Sequence, residues 1–116
     1  MVEHTKRYRT ALELYAAVCP RVAKLIRKIA RADAKLGDQL KRSWQSVGLN
    51  LSEADGYRRR ARQNSIRIGI GSNRETQTGL GIGAAFEYVK QAEVHEVVPD
   101  LERVTAMATA RLNANG

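Results

Sequence analysis

Five cations, Arg21, Lys24, Lys28, Arg31 and Lys35, recur at alternating steps of three and four residues, which puts them on one face of a helix. Like charges at that spacing repel by about 0.2–0.5 kcal/mol per pair, a penalty that bound phosphates relieve. A second cluster follows at Arg58, Arg59, Arg60 and Arg62. Forked guanidinium donors suit phosphate, and the adjacent Tyr57 offers a stacking face for an unpaired base. The chemistry on offer is recognition of a phosphate backbone. With few aromatic residues and no base-reading motif, readout of a particular sequence is not expected. The plainer alternative is a solvated face that keeps a small protein soluble.

Carboxylates and polar groups form a further constellation. Gln39, Ser43, Ser46, Asn50 and Glu53 again fall at four-three-four-three steps, beside the apolar line Leu40–Trp44–Val47–Leu51. A polar stripe next to a core seam needs hydrogen-bonding partners, and Ser72, Asn73 and Arg74 are the candidates for Asn50 and Glu53. Glu53 with Glu75 as a general acid/base pair is the catalytic alternative, and helix-bridging polar groups are the favoured one.

The stretch GIGSNRETQTGLGIG contains GxG at Gly69-Ile-Gly71 and within Gly79-Leu-Gly81-Ile-Gly83. A nucleotide loop needs those glycines between a strand and a helix N-terminus, and here no strand pattern precedes them and no GK[ST] follows. Ser65, Gly69, Ser72, Thr76, Gly79 and Gly83 instead make a helical stripe of small residues. Glycine inside a helix costs up to ~1 kcal/mol relative to alanine, and close helix packing is the offsetting gain expected. His4 and His95 complete no Glu-x-x-His pair for a di-metal bundle, and no Ser-His-Asp set is plausible. Cys19 reads as a small buried hydrophobe. The expectation is a protein without catalytic residues, metal or cofactor.

Periodicity supplies the elements that would position these groups. Tyr8, Leu12, Tyr15, Cys19, Val22, Ile26 and Ile29 predict a helix over about residues 5–34, with a kink or break at Pro20. Gly37 and Asp38 predict the first turn, followed by a helix over about 38–55 carrying Leu40, Trp44, Val47, Leu51 and Ala54. Ile66, Ile70, Asn73, Gln77, Leu80 and Ala84 predict a third helix over about 61–90. Val94, Val97, Leu101, Val104 and Ala108 predict a fourth over about 93–113, in which Pro99 either kinks the helix or opens it. With no alternating β pattern and 116 residues, the fold expected is all-α, a single antiparallel up-and-down four-helix bundle. The net charge is +8, and acidic residues outnumber basic ones only from Glu75 onward, so the basic surface belongs to the first two-thirds. A charged N-terminus, one cysteine and no long apolar run predict a cytoplasmic protein with no membrane segment.

At the polar stripe a resemblance becomes specific. Ser46-Val47-x-x-Asn50-Leu51-Ser52-Glu53, then Gly56 and the arginine cluster, then Gly71-Ser72-x-x-Glu75 resemble the bacterial four helix bundle protein family. That family includes proteins encoded in intervening sequences of 23S ribosomal RNA genes and the accessory variability determinant of diversity-generating retroelements. Ala54 stands where its pattern has glycine, and Ser52 where it has alanine. The resemblance implies a homopentamer of four-helix bundles with a basic surface for nucleic acid. It adds Gly71 and Glu75 to the helix-bridging set of Ser46, Asn50, Glu53 and Ser72. The resulting expectation is a non-enzymatic, self-assembling basic protein that binds nucleic acid, RNA above all, through its phosphates. The alternative is a protein-interaction scaffold that holds a partner enzyme such as a reverse transcriptase.

Overall fold

The helical periodicity is realised as α1 (Ala11–Ala32), α2 (Ala34–Ala54), α3 (Arg59–Ala85) and α4 (Gln91–Ala114), in a computed structural model that describes residues 7–56 and 59–114. No strand occurs among the described residues. Each helix packs on its sequence neighbours and α4 closes against α1, while the diagonal pairs barely touch. The architecture is the antiparallel up-and-down bundle, with one shared core.

Helix ends depart from the periodicity-based bounds because capping decides them. α1 starts at Ala11 rather than near Thr5: Thr10 takes extended backbone, its hydroxyl accepts from the Glu13 N–H at 3.1 Å, and Glu13 accepts from the Arg9 N–H at 2.8 Å. Thr10-x-x-Glu13 has capping-box spacing, a signal that apolar periodicity does not weigh. The first corner falls at Asp33, not at Gly37 and Asp38. Asp33 closes α1 by donating its N–H to the Ile29 carbonyl at 2.8 Å and opens α2 by accepting the Leu36 N–H on its carboxylate at 3.0 Å. Gly37 is buried inside α2, where a Cβ would stand 2.5 Å from Ala30 Cα. Its role is close approach of the two helices beside their corner, not the turn.

α3 stops at Ala85 rather than near Lys90. Glu87 takes φ 62°, its N–H bonds the Ala84 carbonyl at 3.0 Å, and the Tyr88 N–H bonds the Gly83 carbonyl at 2.9 Å, the paired bonds of a Schellman stop. Glycine ordinarily holds that left-handed position. Glu87→Gly is expected to raise stability by about 0.5–1 kcal/mol, after allowing for glycine's larger backbone entropy in the unfolded chain. Thermal melting checks this, and a lower melting temperature would refute it. At the start of α4, Glu93 reaches back to accept the Lys90 N–H at 3.0 Å, half of a capping box.

Pro20 lies inside α1 and Pro99 inside α4, and neither splits its helix or opens it. Both prolines are exposed, as are Ala16 and His95, whose carbonyls lose their helical donor and are left to water.

The core residues of α2 and α4 are those of the predicted seams: Leu40, Trp44, Val47, Leu51 and Ala54, and Val94, Val97, Leu101, Val104 and Ala108. In α1 the buried line is Ala11, Leu14, Val18, Val22, Leu25, Ile26 and Ile29, while Tyr8, Leu12, Tyr15 and Cys19 flank it half-buried. Of the flanking residues, Tyr8, Tyr15 and Cys19 carry polar ends that need partners at the edge. Tyr15 donates its hydroxyl to the Trp44 carbonyl at 2.7 Å, and the Trp44 indole N–H points to Cys19 Sγ at 3.2 Å. Burial first, then the neighbouring Cys19, pushes the Tyr15 phenol above its ordinary range.

Candidate nucleic-acid interface

Two features of the sequence had competing readings, and the α2–α3 seam resolves one of them. Ser43 Oγ lies 2.8 Å from Thr76 Oγ1 and Ser46 Oγ lies 2.7 Å from Ser72 Oγ, so small hydroxyls bridge the two helices at successive turns. Where glycine replaces a hydroxyl, the partner side chain moves in. A Cβ on Gly79 would stand 2.5 Å from Leu40 Cδ2, one on Gly83 would stand 2.6 Å from Ile29 Cδ1, and one on Gly69 would be in ordinary contact with Asn50 and Leu51. These glycines lie within a continuous helix and are filled by protein, which is the packing role.

Other members of the polar set behave differently. Asn50 bonds within α2, donating to the Ser46 carbonyl at 2.9 Å and Ser46 Oγ at 3.1 Å, so it supports the Ser46–Ser72 bridge instead of crossing to Ser72, Asn73 or Arg74 itself. Glu53 and Glu75 are both exposed. Glu53 lies ten residues beyond Ser43, whereas Glu75 is level with Ser43 through its neighbour Thr76, a separation of ~15 Å along the bundle that rules out an acid/base pair. Gly71 is exposed, with nothing within 4 Å of where its Cβ would be. The bridge that periodicity missed is Asn73: buried in α3, it donates to the Leu101 carbonyl and to Thr105 Oγ1, each at 2.8 Å, and so ties α3 to α4. An amide at a core register was the available signal.

The five-cation stripe divides in two. Arg21 is paired with Asp100, a carboxylate only 2% exposed, and Lys28 with Glu93 at 2.9 Å. The Lys28 ammonium, followed by the Lys90 N–H, holds the Glu93 carboxyl below its usual range. α4 thus neutralises two of the five cations. Lys24 and Arg31 are exposed on the outer face of α1, where Arg27, absent from the predicted stripe, joins them; Lys35 is exposed at the start of α2, because the Asp33 corner interrupts the stripe that spacing placed on one helix. None of these four has an ion-pair partner among the described residues. They lie along the half of α1 that leads into the Asp33 corner and just past it.

The arginine cluster lies at the other end of a bundle whose longest dimension is 42 Å. Tyr57 and Arg58 fall outside the described residues, Arg59 opens α3, and Arg60 is exposed. Arg62 turns back to donate its Nε to the Ala54 carbonyl at 3.2 Å, capping the end of α2. Lys24, Arg27, Arg31 and Lys35 therefore form a run of exposed cations leading to the Asp33 end, and Arg60 is exposed at the opposite one. Two exposed arginines of α3, Arg67 and Arg74, were not assigned to the basic surface, although with Arg60 they recur at steps of seven residues and share one face of the helix.

No helix among the described residues is long and apolar enough to cross a membrane. A family model described as 23S rRNA-intervening sequence protein matches residues 3–110. A crystal structure of a protein of unknown function from the S23 ribosomal protein family of Bacteroides thetaiotaomicron VPI-5482 superposes with a TM-score of 0.79 at 19% identity, covering 89% of this chain and 98% of that one. No curated protein matches the chain.

Proposed function

The chain belongs to the 23S rRNA-intervening sequence protein family, and from that premise we propose that it is a non-enzymatic protein that binds RNA through the phosphate backbone. The observation that supports this is the unneutralised set Lys24, Arg27, Arg31 and Lys35 at the Asp33 corner, in a chain that pairs Arg21 and Lys28 internally. Cations left exposed beside paired ones attract a polyanion without disturbing the fold.

RNA affinity is expected to fall steeply with salt, and reversing Lys24, Arg27 and Arg31 to glutamate should flatten the log–log slope by roughly 0.7–0.9 for each contact removed. Reversal at Arg42, already 3.0 Å from Asp38, is the comparison with the smaller effect. Unchanged affinity in the triple reversal would overturn the proposal.

Self-assembly, the homopentamer implied by the resemblance, is proposed to use the outward face of α3. That face exposes Ile68 and Ile82, and Gly71 and Gly81 between them have no neighbour inside the protomer. Sedimentation of the wild-type chain decides this, with five copies expected and a monomer refuting it.

A further inference from the structure

The Glu87 turn brings together two aromatic side chains that the RNA-binding reading has not used. Phe86 is 66% exposed, and its ring stacks on Tyr88 with centroids 5.8 Å apart and planes 20° apart. A phenylalanine two-thirds exposed buries little apolar area on folding, yet this one is braced from behind. The Tyr88 hydroxyl reaches Asp33 Oδ2 at 3.4 Å, so the pair leans on the α1–α2 corner, two residues from Arg31 and two from Lys35. Tyr88 also lines an open cavity of about 740 Å³ together with Lys28, Ala84, Ala85, Lys90 and Glu93. That volume lies within the roughly 300–1,000 Å³ usual for small-molecule sites.

Charge decides which part of a nucleotide fits where. Inside the cavity the cations Lys28 and Lys90 face the carboxylates Glu87 and Glu93, so the lining is balanced and does not favour a phosphate. Arg31 and Lys35, two residues to either side of the Asp33 that Tyr88 contacts, are exposed and unpaired among the described residues. A neutral, flat group belongs on the aromatic pair and an anionic backbone on these two cations. An unpaired nucleotide has both parts, whereas a base inside a duplex does not present its face.

We propose that Phe86, braced by Tyr88, is a stacking platform for an unpaired base of single-stranded RNA whose flanking phosphates lie on Arg31 and Lys35. The inference rests on the RNA-binding reading and gives it a preference: single strands over duplexes.

The test compares a twelve-nucleotide RNA carrying one 2-aminopurine with a blunt RNA duplex, each titrated with wild type and with Phe86→Ala. Phe86→Ala should weaken single-strand binding roughly 5- to 150-fold and abolish the quenching of 2-aminopurine, while duplex affinity and the salt slope stay unchanged. Phe86→Trp should restore both. Equal losses on single strand and duplex, or no loss on either, overturn the platform. A smaller sedimenting species for Phe86→Ala also overturns it, because Phe86 would then be an assembly residue. If the charge reversals abolish binding while Phe86→Ala does not, the platform fails and the backbone reading stands; if wild type binds neither RNA, both fail.

Discussion

Replacing Gly37 by alanine is expected to destabilise the protein by about 3 kcal/mol, more than the same change at Gly79 or Gly83. The added Cβ would meet the Cα of Ala30 at 2.5 Å, and a backbone atom has no rotamer into which to retreat. At Gly79 the atom in the way is Leu40 Cδ2, the end of a flexible side chain, so Gly79→Ala should be milder and Gly79→Leu should approach the Gly37 effect. Urea unfolding ranks the variants. A Gly37→Ala protein as stable as wild type would show that the α1–α2 hairpin opens freely near Asp33. Gly71→Ala supplies the opposite sign, since its Cβ enters open space and gains about 0.8–1.0 kcal/mol of helix propensity. If a second copy covers α3, that gain should turn into a loss as protein concentration rises.

Removing the positive half of the Arg21–Asp100 pair should be the other severe change. Arg21→Met leaves a buried carboxylate with neither oxygen partnered, because Asp100 Oδ1 already has no hydrogen bond and Oδ2 loses its own. The cost expected is roughly 3–5 kcal/mol. Asp100→Val should cost less, since the Arg21 side chain is 32% exposed and can turn to water. The double variant Arg21→Met/Asp100→Val should recover most of the loss, as replacing both members of a buried pair by apolar groups generally does. Chemical denaturation of the three proteins checks the cycle. Additive losses would mean that the ion pair is energetically idle. RNA binding by Arg21 variants would then be compared at matched folded fractions, because their defect is expected to be one of folding.

What the sequence made legible was whatever a helical period encodes. The apolar lines of α2 and α4 were readable residue by residue, with Ser43 and Asp100 buried beside them as the exceptions. Thr10, Asp33 and Glu87 set the helix ends, and their effect depends on single hydrogen bonds that a period does not register. The Ser46–Ser72 bridge was readable because both residues fall on small or polar stripes. Asn50 turning onto its own helix was not, because an amide three or four residues from a serine satisfies itself locally as easily as across a seam. The basic stripe misled in one respect: spacing places Arg21 and Lys28 with Lys24 and Arg31, but only the fold brings Asp100 and Glu93 opposite them. Phe86 carried no signal at all, as one aromatic after a glycine-rich helix looks like the end of a seam.

The edge contact between α1 and α2 also gives the protein an optical property. Trp44 is the chain's only tryptophan, it is buried, its indole N–H points to a thiol, and the Tyr15 ring lies 4.3 Å away. Its emission in the folded protein should therefore be blue-shifted and quenched by the sulfur, brightening and moving red when α1 leaves α2. Trp44 sits mid-way along α2, remote from the Asp33 corner, so a nucleic acid bound there leaves its surroundings unchanged. Native fluorescence of this protein is a clean readout of unfolding and a silent one for ligand.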